Sequence, residues 1–143
     1  MTTEEQAVPR AAEQEFVTFT VAGQHYCLDI QQIREIRRWT PVTPLPHAAP
    51  GVLGVMNLRG AVIPIYDMAA RLGLGDTEPG ERNVVIVVAL DNNSIGLLVE
   101  TVQEILTIPG EEIRPTPDVR SEATREAIRG VIAIEGQMTR ILE

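Results

Sequence analysis

Gly54-Val-Met-Asn-Leu-Arg-Gly-Ala-Val-Ile-Pro-Ile-Tyr-Asp67 places apolar residues on both sides of Arg59-Gly60. This predicts a β-hairpin, because glycine supplies the positive φ that a tight turn needs. Pro64 has no N–H to donate, so the second strand is expected at a sheet edge or locally interrupted. Asp67 is placed to cap a short helix over Met68-Ala-Ala-Arg-Leu72, with Gly73 as its stop. A related stretch lies near the other end of the chain, and that repeat organises the rest.

Upstream, residues 1 to about 14 are polar and read as a flexible tail. Val17, Phe19 and Val21 then alternate with Thr18 and Thr20, a half-buried strand. Ala22-Gly-Gln-His25 makes a turn, and Tyr26, Leu28 and Ile30 continue as the second strand of a hairpin. Ile30, Ile33 and Ile36 fall at helical spacing with charged residues between them, which predicts one or two amphipathic helical turns. After Trp39, the strip Thr40-Pro-Val-Thr-Pro-Leu-Pro-His-Ala-Ala-Pro50 holds too many prolines for a helix and is expected to be extended.

Downstream, residues 73–82 form a polar connector. Val84-Val-Ile-Val-Val-Ala-Leu90 is apolar on both faces and predicts a buried central strand. Asp91-Asn-Asn93 turns, and Ile95 to Val99 returns. Ile105 to Ile108 is a further short strand, ended by Pro109-Gly110. Ser121 is placed to cap a helix over Glu122 to Ile128. Val131 to Ile134, a turn at Glu135-Gly136, and Met138 to Leu142 make the last hairpin.

Sliding the chain by 69 positions lays Leu28 on Leu97, Ile30 on Val99, and Ile33-Arg-Glu-Ile36 on Val102-Gln-Glu-Ile105. A shift of 76 lays Gly54 on Gly130, Leu58 on Ile134, Gly60 on Gly136, Ile65 on Ile141 and Asp67 on Glu143. Each module, hairpin, (Ile/Val)-x-Glu-Ile, variable loop and hairpin, has the strand count of a small SH3-like barrel, so the fold class is mainly β: two small SH3-like barrels packed together, with short helices. The tandem modules run from about 15–72 and 83–143, a division that leaves room for strands to be exchanged between them. In this register the helix of residues 68–72 has no counterpart, which points to a piece lost or cut away. Where the copies differ, the first carries a distinctive cluster of Glu35, Trp39, Asn57 and Arg59. Trp and Arg are the side chains that most often anchor protein interfaces.

The net charge of −8 argues against nonspecific binding to nucleic acid or an anionic membrane. Aromatic residues make up 3% of the chain, so the core must be aliphatic. All twelve basic residues are Arg, for which a GC-rich codon bias is the plain explanation. The longest apolar run, Val84 to Leu90, is too short to span a bilayer, and the N-terminus does not read as a signal peptide. The lone Cys27 permits no internal disulfide and is compatible with a reducing cytoplasm.

No motif of a catalytic site is present, neither GxSxG, nor a Walker loop, nor GxGxxG with its acidic partner. His25, His47 and Cys27 lack metal-ligand spacing, so neither metal nor cofactor is expected. Cys27 reads as a small buried hydrophobe. Glu35 is either an exposed helix carboxylate or a partner-binding group. Arg59 is either a solvated turn residue or a recognition group, and Trp39 either a lid on the first barrel or part of an exposed anchor.

The residues quoted resemble the CheW-like family of chemotaxis adaptors. The most specific stretches are Ile33-Arg-Glu-Ile-Arg37-x-Trp39-Thr-Pro-Val42, Leu45-Pro46, Gly54-Val-Met-Asn-Leu-Arg-Gly60 and Val62-Ile-Pro-Ile-Tyr-Asp67, joined by Gly96-Leu-Leu-Val99, Val102-x-Glu-Ile105 and Gly130-Val131. The resemblance runs from about Glu15 to Glu143. It implies two five-stranded barrels, no enzymatic activity, and a cytoplasmic protein recruited to membrane receptor arrays. The implied partners are the regulatory domain of a histidine kinase, the cytoplasmic tip of chemoreceptors, and other CheW-like domains in an array, with no nucleic acid and no membrane insertion. The contact residues it implies are Glu35 and Arg59, both in the cluster picked out by the repeat; with them Arg37, Trp39, Asn57 and Gly60 complete the candidate partner-binding set. The family usually has a further short segment after the last strand. Competing readings are a regulatory domain of a larger kinase or receiver-fused protein, and a solitary binding barrel.

Overall fold

The computed structural model of the chain describes residues 13–90, 92–113, 128–134 and 137–142. Their strands are β1 (Glu13–Val21), β2 (Gln24–Asp29), β3 (Ile33–Arg38), β4 (Val52–Leu58) and β5 (Ala61–Asp67), then β6 (Val84–Leu90), β7 (Asn93–Val99), β8 (Thr101–Pro109), β9 (Ile128–Ile134) and β10 (Gln137–Leu142). A helix, α1 (Met68–Arg71), follows β5, and a 3-10 turn at Ile30–Gln32 precedes β3. The strands form two five-stranded sheets, in the orders β8-β1-β2-β10-β9 and β3-β6-β7-β5-β4. We call them the terminal and the central barrel.

The repeat read from the sequence maps one barrel onto the other. A shift of 69 carries β1, β2 and β3 onto β6, β7 and β8, and a shift of 76 carries β4 and β5 onto β9 and β10. Applied to the order of the terminal barrel, it yields the order of the central one. The barrels nevertheless do not follow the two halves of the sequence. The hairpin β1–β2 of the first half sits with β8, β9 and β10 of the second, and β6–β7 of the second sits with β3, β4 and β5 of the first. The joins are parallel and equivalent, Ile65 beside Gly96 in one barrel and Ile141 beside Cys27 in the other.

This exchange gives β6 its two buried faces. Val85 and Val87 point into the central barrel with Ile63, Ile65 and Leu98. Ile86 and Val88 point the other way, into a seam between the barrels with Phe19, Val21, Tyr26 and Leu28 of the terminal one. Each fully buried side chain of this size contributes about 1.5–3 kcal/mol. Phe16, Cys27, Ile108 and Ile141 fill the terminal barrel, and Cys27 is buried as a small apolar residue would be.

Several expectations are corrected. Ile33 to Arg38 is a strand, because β6 offers an open edge and takes it through pairs from Ile33–Val88 to Arg38–Val84. Only Ile30–Gln32 keeps a helical turn, capped by the Asp29 carboxylate accepting from the Gln31 N–H at 2.9 Å. The strand β5 is interior, with β7 on one side and β4 on the other, so Pro64 marks no edge. Pro64 stands opposite Val55, whose own N–H and C=O turn outward to Thr43 at 2.9 Å. That is a non-hydrogen-bonded site of the antiparallel ladder, and pairing to β7 begins one residue later at Ile65. The missing donor is therefore not needed. Glu13 and Gln14 belong to β1, paired with Pro109 and Ile108, rather than to a tail. The strand expected at Ile105–Ile108 extends over Thr101–Pro109. Ile128 begins β9 instead of ending a helix. The remainder of that helix, its cap at Ser121, the turn at Glu135–Gly136 and residues 1–12 lie outside the described residues.

The capping reading of Asp67 holds, with its Oδ1 accepting from the Ala69 N–H at 3.1 Å. The proline strip is not extended throughout: the backbone turns at Pro46-His47, where His47 has a φ of +59°, and again at Pro50. Thr43 bridges to Val55 across the outside of β4. Gly54 makes that crossing possible: a Cβ there would stand 2.4 Å from the Thr43 carbonyl oxygen.

Candidate protein-contact site

Residues of one face of a strand recur at i and i+2, so Glu35 and Arg37 project together. They are half-buried, while Arg34, Ile36 and Arg38 on the opposite face are exposed. Glu35 Oε2 accepts from Arg37 Nη1 at 2.9 Å, and Oε1 accepts from Arg59 Nη2. Strands β3 and β4 end the sheet order on opposite sides. The Glu35–Arg59 pair therefore joins the two edges of the curled sheet and helps close the central barrel. The Arg59 guanidinium, followed by that of Arg37, holds the Glu35 carboxyl below its usual range.

Arg59 is carried by a two-residue turn between β4 and β5 in which Arg59 and Gly60 have φ of +51° and +90°. Positive φ at both positions is the signature of a type I′ hairpin turn. Asn57 Oδ1 accepts from the Gly60 N–H at 3.0 Å and fixes the turn. Asn57 and Gly60 thus shape the turn that presents Arg59, whose side chain remains 71% exposed. Trp39 takes the lid role: its side chain is partly buried against the core of Ile63, Ile65 and Leu98, and its backbone N–H donates to the Asn83 carbonyl at 3.1 Å. Of the six residues singled out in the sequence, Glu35, Arg37 and Arg59 meet in one ion cluster, Asn57 and Gly60 support it, and Trp39 turns inward.

A groove of about 610 Å³ opens beside the cluster, lined among others by Arg34, Glu35, Arg59, Val62, Leu90 and Ile95. Val62 and Leu90 are 66% and 54% exposed, which is unusual for aliphatic side chains on barrel strands. Sequence reasoning missed Arg34, Val62 and Leu90. Val62 stood in an unbroken apolar run that hid its outward face, and Leu90 closed a strand otherwise buried on both sides. An exposed guanidinium beside aliphatic surface suits reversible protein contact. No group of three His, Cys, Asp or Glu able to hold a metal occurs among the described residues. No described helix is long and apolar enough to cross a membrane.

A model of the CheW-like domain matches residues 15–143. The chain belongs to the CheW-like family. Its relatives include the chemotaxis protein CheW of Rhizobium meliloti (strain 1021), 50% identical over 129 residues that cover 90% of this chain and 83% of that one. The CheW of Klebsiella aerogenes is 32% identical over 125 residues, covering 87% and 75%. The crystal structure of the scaffolding protein TtCheW from Thermoanaerobacter tengcongensis superposes with a TM-score of 0.84 at 28% identity, covering 91% and 88%. Its likeness supports reading the two sheets as a pair of SH3-like barrels.

Proposed function

We propose that this protein is a noncatalytic coupling adaptor of a chemotaxis or related chemosensory pathway. It works in the cytoplasm and holds the regulatory domain of a histidine kinase beside the cytoplasmic tip of chemoreceptors. Other CheW-like domains of the array are further partners. Family membership supports the adaptor role. The observation that carries the choice of surface is the exposed Arg59, anchored by Glu35 at the rim of a partly apolar groove. Contacts of roughly 800 Å² per partner or less suit reversible assembly. The reading as a regulatory domain of a larger kinase is not favoured, since relatives at 50% and 44% identity are named chemotaxis protein CheW and probable chemotaxis protein CheW.

The test is titration calorimetry of the wild type and Arg59→Ala against the kinase regulatory domain and a receptor-tip fragment, each taken separately. The substitution is expected to weaken binding to at least one partner by roughly 1–3 kcal/mol. An exposed ion pair contributes little to stability, so the melting temperature should hardly move. Unchanged affinity for both partners, or a large loss of stability, removes Arg59 from the contact surface.

A further inference from the structure

Helix α1 and the connector behind it lie between the two copies of the repeat, outside the ten equivalent strands. They are nonetheless wedged into the seam. Met68 and Ala69 are buried among Phe19 and Val21 of the terminal barrel and Ile86 and Val99 of the central one, and Leu72 and Leu74 pack against the same cluster. From Arg71 to Arg82 only Leu72, Leu74 and Thr77 are even half-buried. The connector is thus held at two places, the leucines on the seam and Thr77 on Asp67.

The second hold is unusually complete. Asp67 is 2% exposed. Its Oδ1 accepts from the Ala69 N–H at 3.1 Å and from the Thr77 hydroxyl at 2.7 Å, and its Oδ2 accepts from the Thr77 N–H at 2.7 Å. Its own N–H donates to the Gly51 carbonyl at 2.8 Å. A buried carboxylate is tolerated only while its acceptors are filled. Withdrawal of Thr77 removes two of the three carboxylate donors at once. A half-seated connector would satisfy neither the carboxylate nor the leucines, an arrangement that favours two discrete positions over a continuum. Beside it runs a cleft of about 430 Å³, walled by Val21 and Ala22 at the end of β1, by Val99 and Glu100 at the end of β7, and by the connector itself.

We infer that α1 and the connector form a strap that sets how the two barrels sit against each other, with Asp67 and Thr77 as its latch. Closed, the strap drives Met68, Ala69 and Leu74 into the seam. Open, it withdraws them and lets the barrels turn about the aliphatic surfaces that remain. The inference concerns the seam and does not depend on which partners the protein binds.

The experiment uses the full chain with Thr77→Val, which keeps the shape of the side chain and removes the hydroxyl. Amide exchange is followed at Ala69 and Leu74, with Phe19 and Ile86 as core references, and barrel orientation is taken from residual dipolar couplings fitted to each barrel. The expected result is exchange about tenfold faster or more at Ala69 and Leu74. Phe19 and Ile86 should be unchanged and the angle between the barrels altered, and Thr77→Ser should restore the wild-type values. Exchange unchanged at Ala69 and Leu74 overturns the latch. Equal acceleration at all four amides, or failure of Thr77→Val to fold, reduces it to a general folding contact. Local opening with an unchanged angle overturns the strap.

Discussion

Replacing Gly96 with alanine tests the feature on which this architecture rests, the parallel join of β5 to β7. A Cβ built at Gly96 stands 2.5 Å from Ile65 Cδ1 and 2.9 Å from Val85 Cγ1. Carbon atoms rest about 3.5–4 Å apart. The tip of Ile65 must therefore retreat by about 1 Å, yet Ile65 and Val85 are both fully buried. Overpacking of this kind costs about 1–3 kcal/mol. It is offset in part by the unfolded-chain entropy that alanine removes, about 0.4–1 kcal/mol. The net expectation is a loss of about 1–2 kcal/mol, read as a lower urea midpoint at unchanged slope. Trp39 fluorescence reports the transition, since Trp39 packs on the same core. Ile65→Val alone removes the clashing methyl and should cost about 0.5–1.5 kcal/mol. The double variant should be more stable than the sum of the two losses by about 1 kcal/mol. Additivity within about 0.3 kcal/mol, or a neutral Gly96→Ala, would refute the contact and with it the placement of β5 beside β7.

Three further outcomes follow from the site and its frame. The Glu35 carboxyl should titrate below its ordinary value of 4.5 in an NMR pH series, and Arg59→Ala should raise the midpoint more than Arg37→Ala, because the Arg59 bond is the larger cause. A depressed folded-state value means that the stabilisation by this pair is fully present above the unfolded value and is lost as pH falls through the folded one. Raising ionic strength should therefore lower stability slightly at pH 7 and have less effect below the Glu35 midpoint. Gly54→Ala forces a Cβ against the Thr43 carbonyl at a φ of +152° and should cost about 2–3 kcal/mol, with faster amide exchange at Thr43 and Val55.

The sequence by itself determined what is local or repeated. Alternating apolar residues around Ala22-Gly23 and Arg59-Gly60 suffice for hairpins, because the turn and the strand period are properties of a few neighbouring residues. Asp67 before an apolar helical run was legible as a cap for the same reason. The repeat pointed to two equivalent barrels and, through its differences, to Glu35 and Arg59. Tertiary structure alone decided which strands share a barrel. The two copies present the same apolar pattern, so β1 could accept β3 or β8 by periodicity alone, and only the closing of a common seam selects β8. It likewise turned Ile33–Arg38 from helical spacing into a strand, admitted Pro64 to an interior position, sent Trp39 inward, and left Val62 and Leu90 exposed beside Arg59. Each of these depends on what a distant segment supplies, an open edge, a ladder site that needs no donor, or a core to cover, and short-range pattern carries no record of it.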